Sequence, residues 1–126
     1  MTFDELNIHK PLLNALADLG FKEPTAIQAK AFAVVMSGKD VLGIAQTGTG
    51  KTYAYLLPCL RQWTFAKNKA PQILILVPTR ELVMQVVSEV VKLTTYMDIK
   101  VAGIIGGVSI NPQIDEINSG LDVIVA

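Results

Sequence analysis

Apolar and polar positions along the chain switch repeatedly between a helical period and continuous short runs, which predicts a succession of helices and strands. Leu12, Leu13, Leu16 and Leu19 share one face of a helix over Pro11–Leu19, and Gly20 is its stop. A second helix over Ala26–Met36 is stopped by Gly38. "DVLGIA" (Asp40–Ala45) reads as a short strand, followed by a helix from Lys51 to about Trp63 and a polar loop, "FAKNKAPQ". "ILILV" (Ile73–Val77), rich in β-branched residues, is the clearest strand. Arg80–Thr95 reads as a long helix burying Leu82, Val86, Val90 and Leu93. "KVAGII" (Lys100–Ile105) is a third strand, and a last helix starts at Asn111 with Pro112 at its first position and ends near Gly120. "DVIVA" (Asp122–Ala126) is a fourth strand, on which the chain stops.

Strands alternating with helices imply an α/β fold with a parallel, right-handed sheet. Composition agrees. Charged residues are 17% of the 126 residues and apolar residues 51%, against about 25% charged in ordinary globular domains, as suits a parallel sheet covered on both faces. Lys plus Arg and Asp plus Glu are 11 each, so no bulk basic field advertises nucleic-acid binding. Cys59 is the lone cysteine and leaves no intrachain disulfide to form. The N-terminus "MTFDELNIHK" has no apolar signal core, and no apolar run reaches the ~18 residues of a membrane span. The expected location is the cytoplasm, without a membrane. Ligand residues in such folds sit just past the carboxyl ends of strands, and this chain stops there, so a fragment is expected.

The run Ala45-Gln46-Thr47-Gly48-Thr49-Gly50-Lys51-Thr52 carries the chemistry. It follows a strand pattern and opens a helix, as a phosphate-cradling P-loop does, with Ala45 where the first glycine usually stands. Gly48 and Gly50 let backbone N–H groups turn toward phosphate oxygens, and the following helix adds unpaired N–H groups and its positive dipole end. Lys51 would reach the β- and γ-phosphates, and the Thr52 hydroxyl would ligate Mg²⁺. Hydrolysis also needs an acidic residue after another apolar strand. Asp115 and Glu116 follow no strand, and Asp122 precedes one. The chain is therefore expected to bind a nucleotide without turning it over.

Phe3, "GFKEPTAIQ" (Gly20–Gln28), "AQTGTGKT", "PTREL" (Pro78–Leu82) and Gly106-Gly107 occur in one order over essentially the whole chain. This set resembles the N-terminal part of the first RecA-like domain of DEAD-box ATP-dependent RNA helicases, bacterial members in particular. The resemblance implies a RecA-like, three-layer αβα P-loop fold, truncated after about four strands. It implies a partial domain over 1–126, with N-terminal helices and an adenine-recognition segment at 1–38 and a P-loop core at 39–126. ATP would be held by Ala45 through Thr52 together with Phe3 stacked on adenine, Gln28 on the adenine edge, and Lys22 and Thr25 in the same segment. An amide offers the donor and acceptor that an adenine edge requires. Pro78, Thr79 and Arg80, with the backbone at Gly106 and Gly107, would hold RNA phosphates, a contact blind to base sequence.

Plainer readings exist for several of these residues. Thr25 and Gln28 also form a capping box, which competes with adenine for the Gln28 amide. Thr79 is a good N-cap, with Glu81 suiting the helix dipole. Arg80 is otherwise an ordinary solvated charge, Gly106-Gly107 a turn, and Phe3 a core residue. Tyr53 and Trp63 read as packing residues and Phe65 as a loop aromatic, not as base-stacking platforms. His9 has no metal-spaced partner. Val83 stands where the family usually has alanine, a change expected to affect packing only.

The family's later parts are absent: the "TPGR" loop, the "DEAD" carboxylates, "SAT" and the second RecA-like domain. Open sheet edges then favour self-association. A non-catalytic nucleotide- or RNA-binding module is the alternative. A GTPase would need Asn-Lys-x-Asp, and Asn68-Lys69-Ala70-Pro71 lacks the aspartate.

Overall fold

In the computed structural model, which describes residues 1–48, 50–67 and 70–126, glycine stops and apolar runs resolve into α1 (Lys10–Asp18), α2 (Ala26–Met36), α3 (Lys51–Gln62), α4 (Arg80–Leu93) and α5 (Ile110–Asn118), with β1 (Ile73–Ile75), β2 (Val101–Gly103) and β3 (Val123–Val125). A single 3₁₀ turn, Phe3–Glu5, precedes α1. The chain divides into two compact units, Met1–Trp63 and Thr64–Ala126.

In the first unit, α1 closes as its sequence predicts. Gly20 N–H donates to the Ala17 carbonyl at 3.0 Å and Phe21 N–H to Leu16 at 3.0 Å, the paired bonds of a Schellman stop. Leu12 and Leu16 of α1, Phe32 of α2, and Leu56, Leu57 and Leu60 of α3 are buried. Each such side chain contributes about 1.5–3 kcal/mol relative to exposure. His9, the N-cap residue of α1, has a buried Nδ1 without a hydrogen-bond partner. Burial, and secondarily the Arg61 guanidinium, pushes its pKa below the ordinary 6.5.

The run Asp40–Ala45 departs from expectation. No ladder forms there among the described residues, and Val41, Leu42 and Ile44 are 42%, 87% and 84% exposed. Strand character is expressed only through pairing and packing with neighbours. An apolar run without a strand partner among the described residues stays unpaired.

The second unit is α/β with a three-stranded parallel sheet, not the four strands expected. Its order is β1-β3-β2, with Ile73, Val123 and Val101 in register, and Ile75, Val125 and Gly103 likewise. The Asp122 carboxylate, wholly buried, accepts the Lys100 N–H at 2.8 Å, while the Asp122 carbonyl accepts from Gln72 and Ile73. One residue thus ties the amino ends of all three strands.

Helix α4 covers one sheet face with Val83, Val86, Val90 and Leu93. Leu82, expected inside, lies at the surface, because Val83 takes the position facing β2. A Cβ built on Gly103 would meet Val83 Cγ1 at 2.7 Å and Val87 Cγ2 at 3.2 Å. The larger residue at position 83 therefore packs against a strand position that has no side chain. On the opposite face Leu74 remains exposed, so the sheet is not covered on both sides as composition suggested. Helix α5 begins two residues earlier than predicted, with Ser109 as N-cap, so Pro112 falls third. The first N–H groups of a helix have no internal acceptor, so a proline there removes no bond.

Two outcomes follow. Gly103→Ala should destabilise the chain by about 1–3 kcal/mol through overpacking. Combined with Val83→Ala it should cost less than the two single changes added together. Urea midpoints of the four proteins measure this, and strict additivity would refute the contact. For His9, folding lowers the pKa, so the unfolded chain takes up its proton first as pH falls. The stability that neutral His9 supplies is complete above about pH 6.5 and lost as the pH falls through the lower native value. His9→Gln should flatten this part of the pH dependence of the urea midpoint, and an unchanged profile would exclude it.

Candidate functional site

The residues singled out in the sequence fall into two groups, one in each unit. In the first unit they gather at the starts of α2 and α3. Thr25 caps α2: its hydroxyl accepts from Gln28 N–H at 3.4 Å, and Gln28 Oε1 accepts from Thr25 N–H at 2.9 Å. Gln28 is buried, and its Nε2 donates to the Gly50 carbonyl at 3.2 Å. The capping box is therefore formed, and the same amide also grips the loop before α3. This leaves Gln28 one N–H and one oxygen lone pair uncommitted in these bonds, the donor and acceptor that an adenine edge would require.

Gly50 is the N-cap of α3 with φ 85°, a left-handed conformation that side chains resist. A Cβ there would also collide with Gln28 Nε2 and lie 3.1 Å from Thr25 Oγ1. Glycine is required twice, once by the turn and once by the neighbouring cap. Gln46, Thr47 and Gly48 are exposed ahead of it, Ala45 is half-buried, and Lys51 is exposed at the first position of α3. Thr49 lies outside the described residues, as do Asn68 and Lys69. The positive dipole end of α3, with Gly50 and Lys51, suits an anion.

Thr52 is half-buried and hydrogen-bonds the Tyr55 phenol, opposing the upward push of burial on that phenol. The Thr52 hydroxyl oxygen is of the kind that can serve a hard cation. One hard oxygen of this kind fits Mg²⁺ when phosphate oxygens and water complete the octahedron. Burial raises the Cys59 thiol, as expected of an inert packing residue.

Phe3 lies elsewhere in this unit. It is buried, its N–H reaches the Lys22 carbonyl at 3.4 Å, and with Lys22 and Phe21 it lines a groove of about 290 Å³. Neither residue is among those gripping Gly50, and Phe3 is buried with an edge on that groove. Tyr53 packs edge-on against Phe21 at 5.4 Å, and Phe65 is exposed in its loop.

In the second unit, Pro78 and Thr79 follow β1 and Gly106-Gly107 follow β2, so both lie past carboxyl ends of parallel strands. Thr79 caps α4 by accepting from Leu82 N–H at 3.2 Å. Arg80 Nη1 donates to the Gly106 carbonyl at 3.4 Å and lies 3.1 Å from where a Gly107 Cβ would be. The two segments predicted separately thus meet through the arginine. Gln113 of α5, which no motif marks, binds the backbone of the same loop at Ile105 and Ser109. Its role depends on a side chain reaching back eight residues, a contact without sequence periodicity.

Among the described residues no group of three or more His, Cys, Asp or Glu gathers as a metal site, and no helix is long and apolar enough to cross a membrane.

Comparison with known proteins places this geometry. Residues 25–126 match the DEAD/DEAH box helicase family. The chain is 47% identical to the ATP-dependent RNA helicase SrmB of Escherichia coli, covering 99% of this chain and 29% of that protein. It is 44% identical to the probable ATP-dependent RNA helicase ddx27 of Dictyostelium discoideum, with 99% and 16% covered. It superposes on a DEAD box protein from the hyperthermophile Methanococcus jannaschii with TM-score 0.90 and 35% identity, over 100% of this chain and 34% of that one. The chain thus spans less than a third of the length of these curated relatives, and it belongs to the DEAD/DEAH box helicase family.

Proposed function

We propose that the chain is the nucleotide-binding, RNA-contacting N-terminal part of an ATP-dependent RNA helicase, an RNA-stimulated ATPase that separates short RNA duplexes. The observation that carries the reading is the bond from Gln28 Nε2 to the Gly50 carbonyl. It joins a candidate base reader to a phosphate loop in one unit. Gln28 selects adenine with its remaining donor and acceptor, supported by Thr25 and the Phe3–Lys22 segment. Backbone N–H groups from Ala45 through Gly50, with Lys51, hold the phosphates. Thr52 offers a hydroxyl to Mg²⁺, which when bound neutralises phosphate charge. Pro78, Thr79, Arg80, Gly106 and Gly107 contact RNA phosphates without regard to sequence, and a second RecA-like domain would complete both sites. We place this activity in the cytoplasm, where a lone half-buried thiol such as Cys59 stays reduced.

By itself the chain holds nucleotide and does not hydrolyse it, since no acidic residue follows an apolar strand to complete the metal site. Purified chain mixed with ATP, Mg²⁺ and RNA should release phosphate only at background, and measurable release would overturn this part of the reading. Gln28→Ala should weaken ATP binding by about 1–3 kcal/mol, roughly 5- to 150-fold, and erase preference over GTP. Lys51→Ala should weaken both nucleotides alike by about 1.5–3 kcal/mol, the scale of a hydrogen bond to a charged group. Calorimetric titration reads both, and ATP and GTP binding equally to the unaltered chain would refute the adenine assignment.

The chain should also self-associate through the unpaired apolar run at Val41, Leu42 and Ile44. Light scattering should show mass rising with concentration and Leu42→Lys abolishing the rise. A concentration-independent monomer would contradict it.

A further inference from the structure

We infer that Gln113 is a positioning residue for RNA: it sets the Gly106-Gly107 turn so that the turn and Arg80 act as one phosphate-binding corner. This rests on the reading that RNA phosphates lie at that corner.

The argument starts from the backbone between β2 and α5. Ile104 N–H extends the ladder by donating to the Val125 carbonyl at 2.8 Å. Beyond it the strand has no ladder partner, and the polar groups of Ile105 need others. Gln113 supplies both: its Oε1 accepts Ile105 N–H at 2.7 Å, and its Nε2 donates to the Ile105 carbonyl at 3.1 Å. The same nitrogen reaches the Ser109 carbonyl at 3.4 Å. One amide therefore binds the backbone at both ends of the loop, at the end of the strand and at the cap of the helix.

Only Gly106, Gly107 and Val108 lie between those anchors. Gly107 has φ 76°, the left-handed region, and both glycines are exposed. Arg80 rests on this apex through the Gly106 carbonyl and beside Gly107. The guanidinium can keep that place only while the apex keeps its own. A loop released at Ile105 and Ser109 would lose the carbonyl that orients Arg80 as well as the direction of its own N–H groups. Gln113 is half-buried, uncharged and on a different element from Arg80, so its influence on an anion passes through the turn and not through its own charge.

The test is binding of an end-labelled single-stranded oligouridine to this chain by fluorescence anisotropy across a salt series. Gln113→Met keeps the length and apolar stem and removes all three bonds. It should weaken binding roughly tenfold and lower the slope of log affinity against log salt by about one, the loss of one phosphate contact. Arg80→Ala should lower the slope equally, and the double variant should be no weaker than Arg80→Ala alone. Gln113→Glu keeps the acceptor for Ile105 N–H but sets an oxygen against two carbonyls, so it should fall between, and it reads the slope if the methionine variant does not fold. If Arg80→Ala leaves affinity and slope unchanged, the RNA reading of this corner fails and takes the inference with it. If Arg80→Ala lowers the slope while Gln113→Met (or Gln113→Glu in its place) leaves it intact, the positioning role alone is refuted. An unchanged slope with a lowered urea midpoint assigns Gln113 to stability and likewise refutes it.

Discussion

The first N–H groups of an α-helix have no acceptor within the helix, and this one constraint organises every segment implicated in ligand binding here. Thr25 answers it for α2, Gly50 opens α3, Thr79 answers it for α4, and Ser109 begins α5. Of these, Thr25, Gly50 and Thr79 are also among the residues for which we propose ligand contacts. The two roles follow from one cause: a helix start presents partial positive charge, and whatever does not cap it is free to hold an anion. Capping and binding thus divide the same donors between them.

Gln28 shows the division most clearly. In sequence its capping role and its base-reading role compete. In the folded unit the side chain closes the capping box with one lone pair and donates to Gly50 with one N–H. The side chain of one helix start is thereby tied to the backbone of the next, and the absence of a Cβ at Gly50 makes room for it. The phosphate loop is held by its neighbour as well as by its own turn.

In the second unit the corresponding constraint is parallelism. Parallel strands send all their carboxyl ends to one side, so loops that are distant in sequence converge there. Asp122 secures the opposite ends by binding Lys100, Gln72 and Ile73. With those ends tied, the Arg80 segment and the Gly106-Gly107 turn come within hydrogen-bonding reach. The burial of Val83 against Gly103 depends on the same register.

The sequence by itself determined the alternation of elements, the helix stops at Gly20 and Gly38, and the caps at Thr25 and Thr79. These are local properties, written in spacing, backbone freedom and side chains that bond within four residues. The family was equally legible, because its motifs are contiguous strings in a set order. Only the tertiary structure decided the rest. Asp40–Ala45 has the composition of a strand, yet a strand exists through its neighbours, and none pairs with it among the described residues. Whether Leu82 or Val83 faced inward depended on where β2 leaves space, which helical period alone does not specify within one residue. The burial of Phe3 and its backbone bond to Lys22 join it to a different segment. Gln113 reaches backbone four and eight residues away, and Arg80 a turn 26 residues away. Contacts of that kind leave no period in the sequence, because they are made by the fold and not by the element.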